Sequence, residues 1–303
     1  MSNQDEGLKS EGLKLALDQA LAGSPKRLEE LLSRHGGLPG PKPNLKLAAA
    51  FGAEVGALKQ NVAPLLTHLA HVEDAEGTAV SFLPVAAAHG WASRIRAGRD
   101  VELAWDALVE LAADERAAVH QGLHDAILAL ALREGGADIV LERMAQWLAI
   151  EDREARYAAI ALSLGLLADA HVMTTISDHE ALFTYLSRVI EEMANAPRSA
   201  ERSVFRRRTL TGLVRVVPAL IAHGGTGDQA IAWLEKVCTD AERPDMRETL
   251  SDAIGRLRDR SSGQKAGLVD SLRATLMASA KPLRHAARVR PGTGRGKKTR
   301  TIR

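Results

Sequence analysis

The sequence predicts an all-α protein, a solenoid of roughly thirteen helices joined by short connections. Its apolar residues are mainly alanine and leucine, and aromatic residues make up only 3% of the chain. Alanine, leucine, arginine and glutamate favour helix because they lose little side-chain freedom there. Apolar residues recur at helical spacing nearly everywhere, and no convincing pair of strands is found. Stacking successive amphipathic helices is the simplest way to bury one apolar face of each.

Capping residues mark where many of these helices begin and end. In "SPKRLEELLSRHGG", Ser24 is the predicted N-cap, Pro25 the first helical residue and Gly36 the stop signal. The same reasoning predicts N-caps at Asn44, Asp178 and Asp228.

Three segments repeat one pattern of charged turn followed by helix. The segment 115–130, "ERAAVHQGLHDAILAL", matches 242–257, "ERPDMRETLSDAIGRL", and 151–167, "EDREARYAAIALSLGLL", fits more loosely. The preceding helix in each case carries a tryptophan, which indicates a repeated helix pair. These tryptophans, which we expect to be packing residues, are Trp105, Trp147 and Trp233.

This helix–acidic turn–helix unit resembles the HEAT/armadillo class of helical repeats, over about 101–167 and 233–257. The resemblance implies a curved solenoid whose concave face is the natural binding surface. It also implies that the turn acid and the following basic residue tie neighbouring repeats together. In this chain those basic residues are His120, Arg156 and Arg247, and the small residues that allow close helix packing are Ala126, Ala159 and Ala253.

Charge and composition divide the chain into three parts. Residues 1–60 are predicted to form an N-terminal helical cap with a Pro/Gly loop at 36–43, and 61–280 to form the solenoid. Nine of the 40 basic residues and no acidic residue fall in 281–303, which leaves 31 basic and 38 acidic residues, a net charge of −7, in 1–280. Dense charge and interspersed glycines predict that 281–303 is a disordered basic tail.

The tail contains "GTGRGKKT", which at first sight suggests a phosphate-binding loop. Such a loop needs glycine five residues before Gly296 and a hydroxyl residue after Lys297, but Pro291 and Lys298 stand there. We therefore expect the tail to contact an acidic surface, which could be nucleic acid, a partner or the acidic body itself. The candidate contact residues are Arg288, Arg290, Arg295, Lys297, Lys298, Arg300 and Arg303.

A second basic feature is "RSAERSVFRRR". Arg198, Arg202 and Arg206 are spaced i, i+4, i+8 and would share one face of a helix, with three further arginines nearby. This face could bind phosphates or an acidic peptide, or it could be a solvated helix side. The further candidates for partner or nucleic-acid contact are Arg207, Arg208 and Arg215, together with Trp91, the tryptophan outside the repeat pattern that we would test first for exposure.

Other residues predict neither catalysis nor a cofactor. The lone Cys238 makes no CxxC pair or disulfide and fits a buried position in a reducing, cytoplasmic protein. The histidine pairs His68/His71 and His120/His124 lack a third zinc ligand. We expect no metal, no cofactor, no small-molecule substrate and no membrane contact.

The expected function is therefore a non-catalytic scaffold or adaptor that binds a protein partner. The alternative is a nucleic-acid-binding protein in which the tail and the Arg198–Arg208 helix contact phosphates. A third hypothesis is a helical-repeat DNA repair enzyme, with polar residues that converge only in the fold.

Overall fold

The chain is all-helical, as predicted. A computed structural model describes residues 3–72, 78–222, 227–260 and 266–278. Within these ranges there is no strand, and fifteen α-helices and two short 3₁₀ helices replace the roughly thirteen helices expected. The α-helices are α1 (Asn3–Leu21), α2 (Lys26–His35), α3 (Leu45–Ala57), α4 (Ala63–Ala70), α5 (Phe82–Arg96), α6 (Val101–Ala112), α7 (Ala117–Ala131), α8 (Gly136–Trp147), α9 (Arg153–Leu167), α10 (Ala170–Thr175), α11 (His179–Ala194), α12 (Val204–Ala222), α13 (Gly227–Asp240), α14 (Pro244–Arg260) and α15 (Ala266–Ala278); the 3₁₀ helices are η1 (Ala79–Ser81) and η2 (Arg198–Arg202).

Several of the predicted helix ends are confirmed by hydrogen bonds. Asn44 caps α3 by accepting from the amide of Leu47 at 3.2 Å, and Asp178 caps α11 by accepting from Ala181 at 2.9 Å. At α2 the prediction was one residue early, because Pro25 is the N-cap and the helix begins at Lys26. At α13 Asp228 lies inside the first turn.

The helices pack in two layers. Layer one contains α4, α6, α8, α11, α13 and α15, and layer two contains α3, α5, α7, α9, α12 and α14. Within layer two, successive helices are neighbours, and the α3–α5 and α9–α12 pairs have the most extensive contacts. Helices α1 and α2 pack on each other and α2 reaches α5, so the predicted N-terminal cap contacts the rest of the fold directly.

Side-chain bonds between neighbouring turns tie these helix pairs together. Arg116 donates to the carbonyl of Val72, 44 residues earlier, and Arg243 donates to Ala196, 47 residues earlier. The predicted tie at Arg156 is present, since its Nε donates to Glu192 at 3.0 Å. Arg247 likewise donates to the carbonyl of Leu276 on α15. Arg116, Arg243 and Arg247 therefore connect helices by donating to backbone carbonyls near helix ends, which lack intrahelical donors.

A single hydrophobic core connects the helices from α1 to α15. Trp105 and Trp147 are 2% and 6% exposed and pack edge to face across α6 and α8, which confirms their packing role. Cys238 is buried, also as expected, and burial raises the pKa of its thiol to about 11. In the part of the chain that the structure describes, no helix has the length and apolar character needed to cross a membrane.

Candidate anion-binding groove

Helix α12 presents a stripe of polar side chains because only its other side is packed. Ser203 caps it, accepting from the amide of Arg206 at 3.1 Å. The side toward α9 is closely packed: a Cβ on Gly212 would lie 2.8 Å from Cβ of Leu164. Arg207 and Arg215, about two turns apart, are exposed.

The arginine face predicted over 198–206 is wrong. Arg198 and Arg202 lie on η2, and the chain is extended at Ser203 before α12 begins, so the i, i+4, i+8 spacing does not describe one helix. Arg206 is only 2% exposed, donates to Asp245 at 2.7 Å and reaches the carbonyl of Met193 at 3.3 Å. Its charge is neutralised inside the fold, so it is not available to a partner.

Arg208 holds an intermediate position. Its Nη1 lies 2.5 Å from Nε2 of His120 on α7, and its guanidinium lies 5.4 Å from the ring centre of Phe205. Burial, and then the charge of Arg208, lower the pKa of His120. The neutral imidazole can accept from the guanidinium, so this contact bridges α7 and α12.

Beside this bridge lies a cavity of about 340 Å³ between α7, α9, α12 and α14. His124, one turn beyond His120, lines it together with Gly165, Arg215 and Arg256. A Cβ on Gly165 would lie 3.6 Å from His124, which is an ordinary van der Waals distance. A larger residue than glycine is therefore not excluded here by a clash. We call this cavity, together with the exposed Arg207 about two turns from Arg215 on α12, the basic groove.

Within the described ranges, the arginine side chains of the basic groove have no hydrogen-bond or ion-pair partner. Among the described residues, no hydrogen bond or ion pair reaches the side chains of Arg207, Arg215 or Arg256. The nearest acid, Asp169, lines the cavity but accepts from the amides of His171 and Val172 as the N-cap of α10. Unpartnered guanidiniums with several donors each are suited to carboxylates or phosphates.

Trp91 is not the exposed tryptophan that the sequence suggested. It is 0% exposed, on α5, and its Nε1 has no acceptor. The local sequence misled because α5 is covered by helices distant in sequence, including α3 and α7. Trp233, assigned to packing, is partly exposed and donates to Oγ of Ser187 at 3.1 Å.

Two residues of the groove, Arg256 and His124, were not among the predicted partner-binding residues. The spacing of His120 and His124 placed both on one side of α7, but nothing in the sequence brought Arg256 beside them. The tail candidates Arg288, Arg290, Arg295, Lys297, Lys298, Arg300 and Arg303 lie outside the described residues. No known protein family model matches the chain, and no curated protein matches it either.

Proposed function

We propose that this protein is a HEAT-like helical-repeat scaffold that binds an acidic segment of a protein partner in the basic groove. The observation that carries the proposal is the set of unpartnered arginines on adjacent helices, Arg207 and Arg215 on α12 and Arg256 on α14. Arg206, Arg243 and Arg94, in contrast, are buried or half-buried in ion pairs. Exposed arginines that serve no internal contact are free to meet carboxylates.

The proposed role is binding without catalysis. Two polar groups at or near the groove already serve the fold: His120 accepts from Arg208, and Asp169 caps α10. The arginines of the groove are complementary in charge to an acidic segment, and Gly165 leaves room for its side chains. Charge and shape complementarity are the main requirements for recognising a partner.

A protein partner is favoured over nucleic acid by the placement of aromatic side chains. Trp91, Trp105 and Trp147 and both tyrosines are buried, and Trp233 is half-buried in layer one. Single-stranded nucleic acid is commonly bound by stacking on exposed aromatic rings. The groove offers guanidinium groups and histidine instead, which suit glutamate and aspartate side chains.

The test measures the affinity of the full chain for fluorescein-labelled poly-glutamate by anisotropy. Arg215→Gln/Arg256→Gln is expected to raise the Kd about tenfold, since two exposed charge contacts contribute about 0.5–1 kcal/mol each. Arg133→Gln/Arg188→Gln, which neutralises two exposed arginines elsewhere, is the matched control and should leave the Kd close to that of the wild-type chain.

The segment 281–303 also carries positive charge, so its contribution to the affinity is removed in a second set of variants. All nine of its basic residues are changed to glutamine, and the two double substitutions are repeated. An equal loss from the groove substitution in both backgrounds supports the proposal. Equal effects of the groove and control substitutions on the Kd contradict it. If the chain binds duplex DNA more tightly than poly-glutamate, and if this binding is lost in the groove variant and falls steeply with salt, the nucleic-acid alternative is favoured.

A further inference from the structure

Layer one contains a cleft between α4 and α6. Its volume is about 640 Å³, and Trp91 of α5 contributes to its lining beneath the two helices. Apolar side chains line it from both sides, including Ala70 of α4 and Leu103 and Ala107 of α6. Leu103 is 50% exposed, which makes it one of the few large apolar side chains that the described fold leaves open. We call this the α4–α6 cleft.

Two other boundaries in the same layer carry an aromatic pair. Trp105 and Trp147 close the boundary between α6 and α8, with ring centres 6.0 Å apart. Phe183 and Trp233 lie across the boundary between α11 and α13, with ring centres 6.2 Å apart, and line an open cleft of about 720 Å³ there. Helix α4, "APLLTHLA", has no aromatic residue to place opposite α6. The α4–α6 cleft is thus a boundary of the layer that lacks the apolar group found at comparable positions.

The indole of Trp91 adds a polar requirement. Its Nε1–H is buried and has no hydrogen-bond acceptor. A buried donor without an acceptor is unfavourable, and nearly all such groups in folded proteins are paired. Among the described residues, this leaves one buried donor without an acceptor in a residue that lines the cleft.

The rim of the cleft is acidic. Asp106, Glu110 and Glu115 are exposed carboxylates around it, while Asp114 is paired with Arg116 at its edge. Glu110 lies 2.9 Å from Nε2 of His71, and this contact contributes to raising the pKa of His71. With histidine neutral, the lining carries four acids and one arginine, a net charge of −3. The cleft therefore fits a cationic segment that also has apolar residues.

We propose that the chain's own basic segment, residues 281–303, binds in the α4–α6 cleft. This segment has nine basic residues and no acid, and it carries Leu283, Val289 and Ile302 among them. The proposal does not depend on the basic groove, which has the opposite charge and lies on other helices. It assigns the segment a contact on the body of its own chain.

The segment is long enough for this contact. Residues 279–303 follow α15 and, fully extended, would span about 80 Å. From α15 to α6 the layer has four helix-to-helix steps of about 8–10 Å, or about 40 Å. The contact is intramolecular, so the effective concentration of the segment is high and modest affinity suffices.

The test attaches a nitroxide to the full-length chain through Thr293→Cys. Cys238 is buried with a raised thiol pKa, so labelling of the unsubstituted chain serves as the check that the label is confined to position 293. The indole N–H resonances of the four tryptophans, assigned by single Trp→Phe substitutions, are recorded with the nitroxide oxidised and reduced. We expect the Trp91 resonance to lose most of its intensity in the oxidised state, and that of Trp233 to keep it.

Matched variants show whether the cleft is responsible. Asp106→Asn/Glu110→Gln/Glu115→Gln should restore the Trp91 intensity. Asp228→Asn/Glu235→Gln/Glu248→Gln, which removes the same charge from exposed sites on α13 and α14, should leave the loss unchanged. High salt should also restore the intensity, because exposed charges are screened.

Three results would overturn the proposal. The first is a Trp91 resonance that keeps its intensity in the labelled wild-type chain. The second is an equal effect of the two triple substitutions, which would mean that only net charge matters. The third is a loss of intensity that appears only when isotope-labelled chains are mixed with separate nitroxide-labelled chains, since that contact would be between molecules.

Discussion

Helices α5 and α12 both belong to layer two, yet they carry their arginines in opposite ways. From Phe82 to Arg94 every residue of α5 is buried, including Arg94 itself. On α12 buried residues alternate with exposed ones, and Arg207 and Arg215 face solvent without partners. The difference follows from packing: α5 is surrounded by α2, α3, α4, α6 and α7, whereas the exposed side of α12 is not covered.

This comparison separates arginines that hold the fold from arginines free to bind. Arg94 donates to Asp100 at 2.6 and 2.9 Å and to the carbonyl of Leu58 at 2.7 Å. Arg206, on α12 but turned inward, is also buried and paired through Nη2 with Asp245 and the Met193 carbonyl, while its Nε has no acceptor among the described residues. A buried guanidinium is tolerated only when its donors are used, so its partners identify it as structural.

The largest expected effect comes from removing the buried arginine of α5. Arg94→Ala should lower the free energy of unfolding by about 3 kcal/mol, because it leaves the Asp100 carboxylate without its donor and leaves a cavity in place of a buried side chain. Urea denaturation monitored by circular dichroism measures the change. Arg215→Ala is the control and should change stability by less than about 0.5 kcal/mol, as exposed substitutions usually do. Similar losses in both variants would remove the distinction between the two helices.

Gly52, at the contact of α3 with α5, and Gly165, in the basic groove, differ in the same way in how closely they are packed. A Cβ on Gly52 of α3 would lie 2.6 Å from the carbonyl oxygen of His89 on α5, and backbone cannot move aside as a side chain can. Gly52→Ala should therefore cost about 1–3 kcal/mol through overpacking. At the floor of the basic groove, Gly165→Ala meets only His124 at 3.6 Å and should be neutral or stabilising by up to about 1 kcal/mol.

Thermal unfolding of both alanine variants, recorded side by side, checks this prediction. A stable Gly52→Ala chain would mean that α3 and α5 can separate without loss. A strongly destabilised Gly165→Ala chain would mean that the groove floor is as tightly packed as the centre of the fold.

The local features of this fold could be predicted from sequence, and its long-range contacts could not. Capping at Asn44 and Asp178 depends on residues three positions apart, so sequence reasoning found it. The burial of Trp91 and Arg206 depends on helices far away in the chain, and both were assigned to the surface. Ser203 is the sequence signal that could have prevented this error. Serine is a preferred N-cap residue, and Ser203 accepts from the amide of Arg206, which separates Arg198 and Arg202 from the helix that follows.

The basic groove shows the same limit. Periodicity placed Arg207, Arg208 and Arg215 on a long helix, but it could not tell that Arg208 is used by His120. Nor could it place Arg256 of α14 beside Arg215. Membership of a surface site is decided by the order in which helices stack, and that order is set by contacts between helices distant in the chain.

The smallest expected effect concerns the histidine of α5 and acid stability. His89 is 5% exposed, and its Nε2 lies 3.7 Å from Oδ2 of Asp125. Burial lowers the pKa of His89, and the charge of Asp125 opposes this only in part. The folded pKa is thus below the unfolded value of about 6.5, so the unfolded chain binds the proton more tightly.

Stability should consequently fall as the pH drops below about 6.5, with a contribution from His89 of at most about 1.4 kcal/mol per pH unit. His89→Gln should flatten the dependence of unfolding free energy on pH between about 7 and 5, whereas His35→Gln, at an exposed position on α2, should leave it unchanged. Urea denaturation across this pH range measures both slopes. His71 contributes to the pH dependence with the opposite sign. Its pKa is raised, mainly by its hydrogen bond to the Thr67 carbonyl. Its stabilisation is therefore complete below its unfolded pKa and is lost as the pH rises through its folded pKa. An unchanged slope in His89→Gln would mean that water reaches the imidazole, and that α5 is less completely enclosed than its packing indicates.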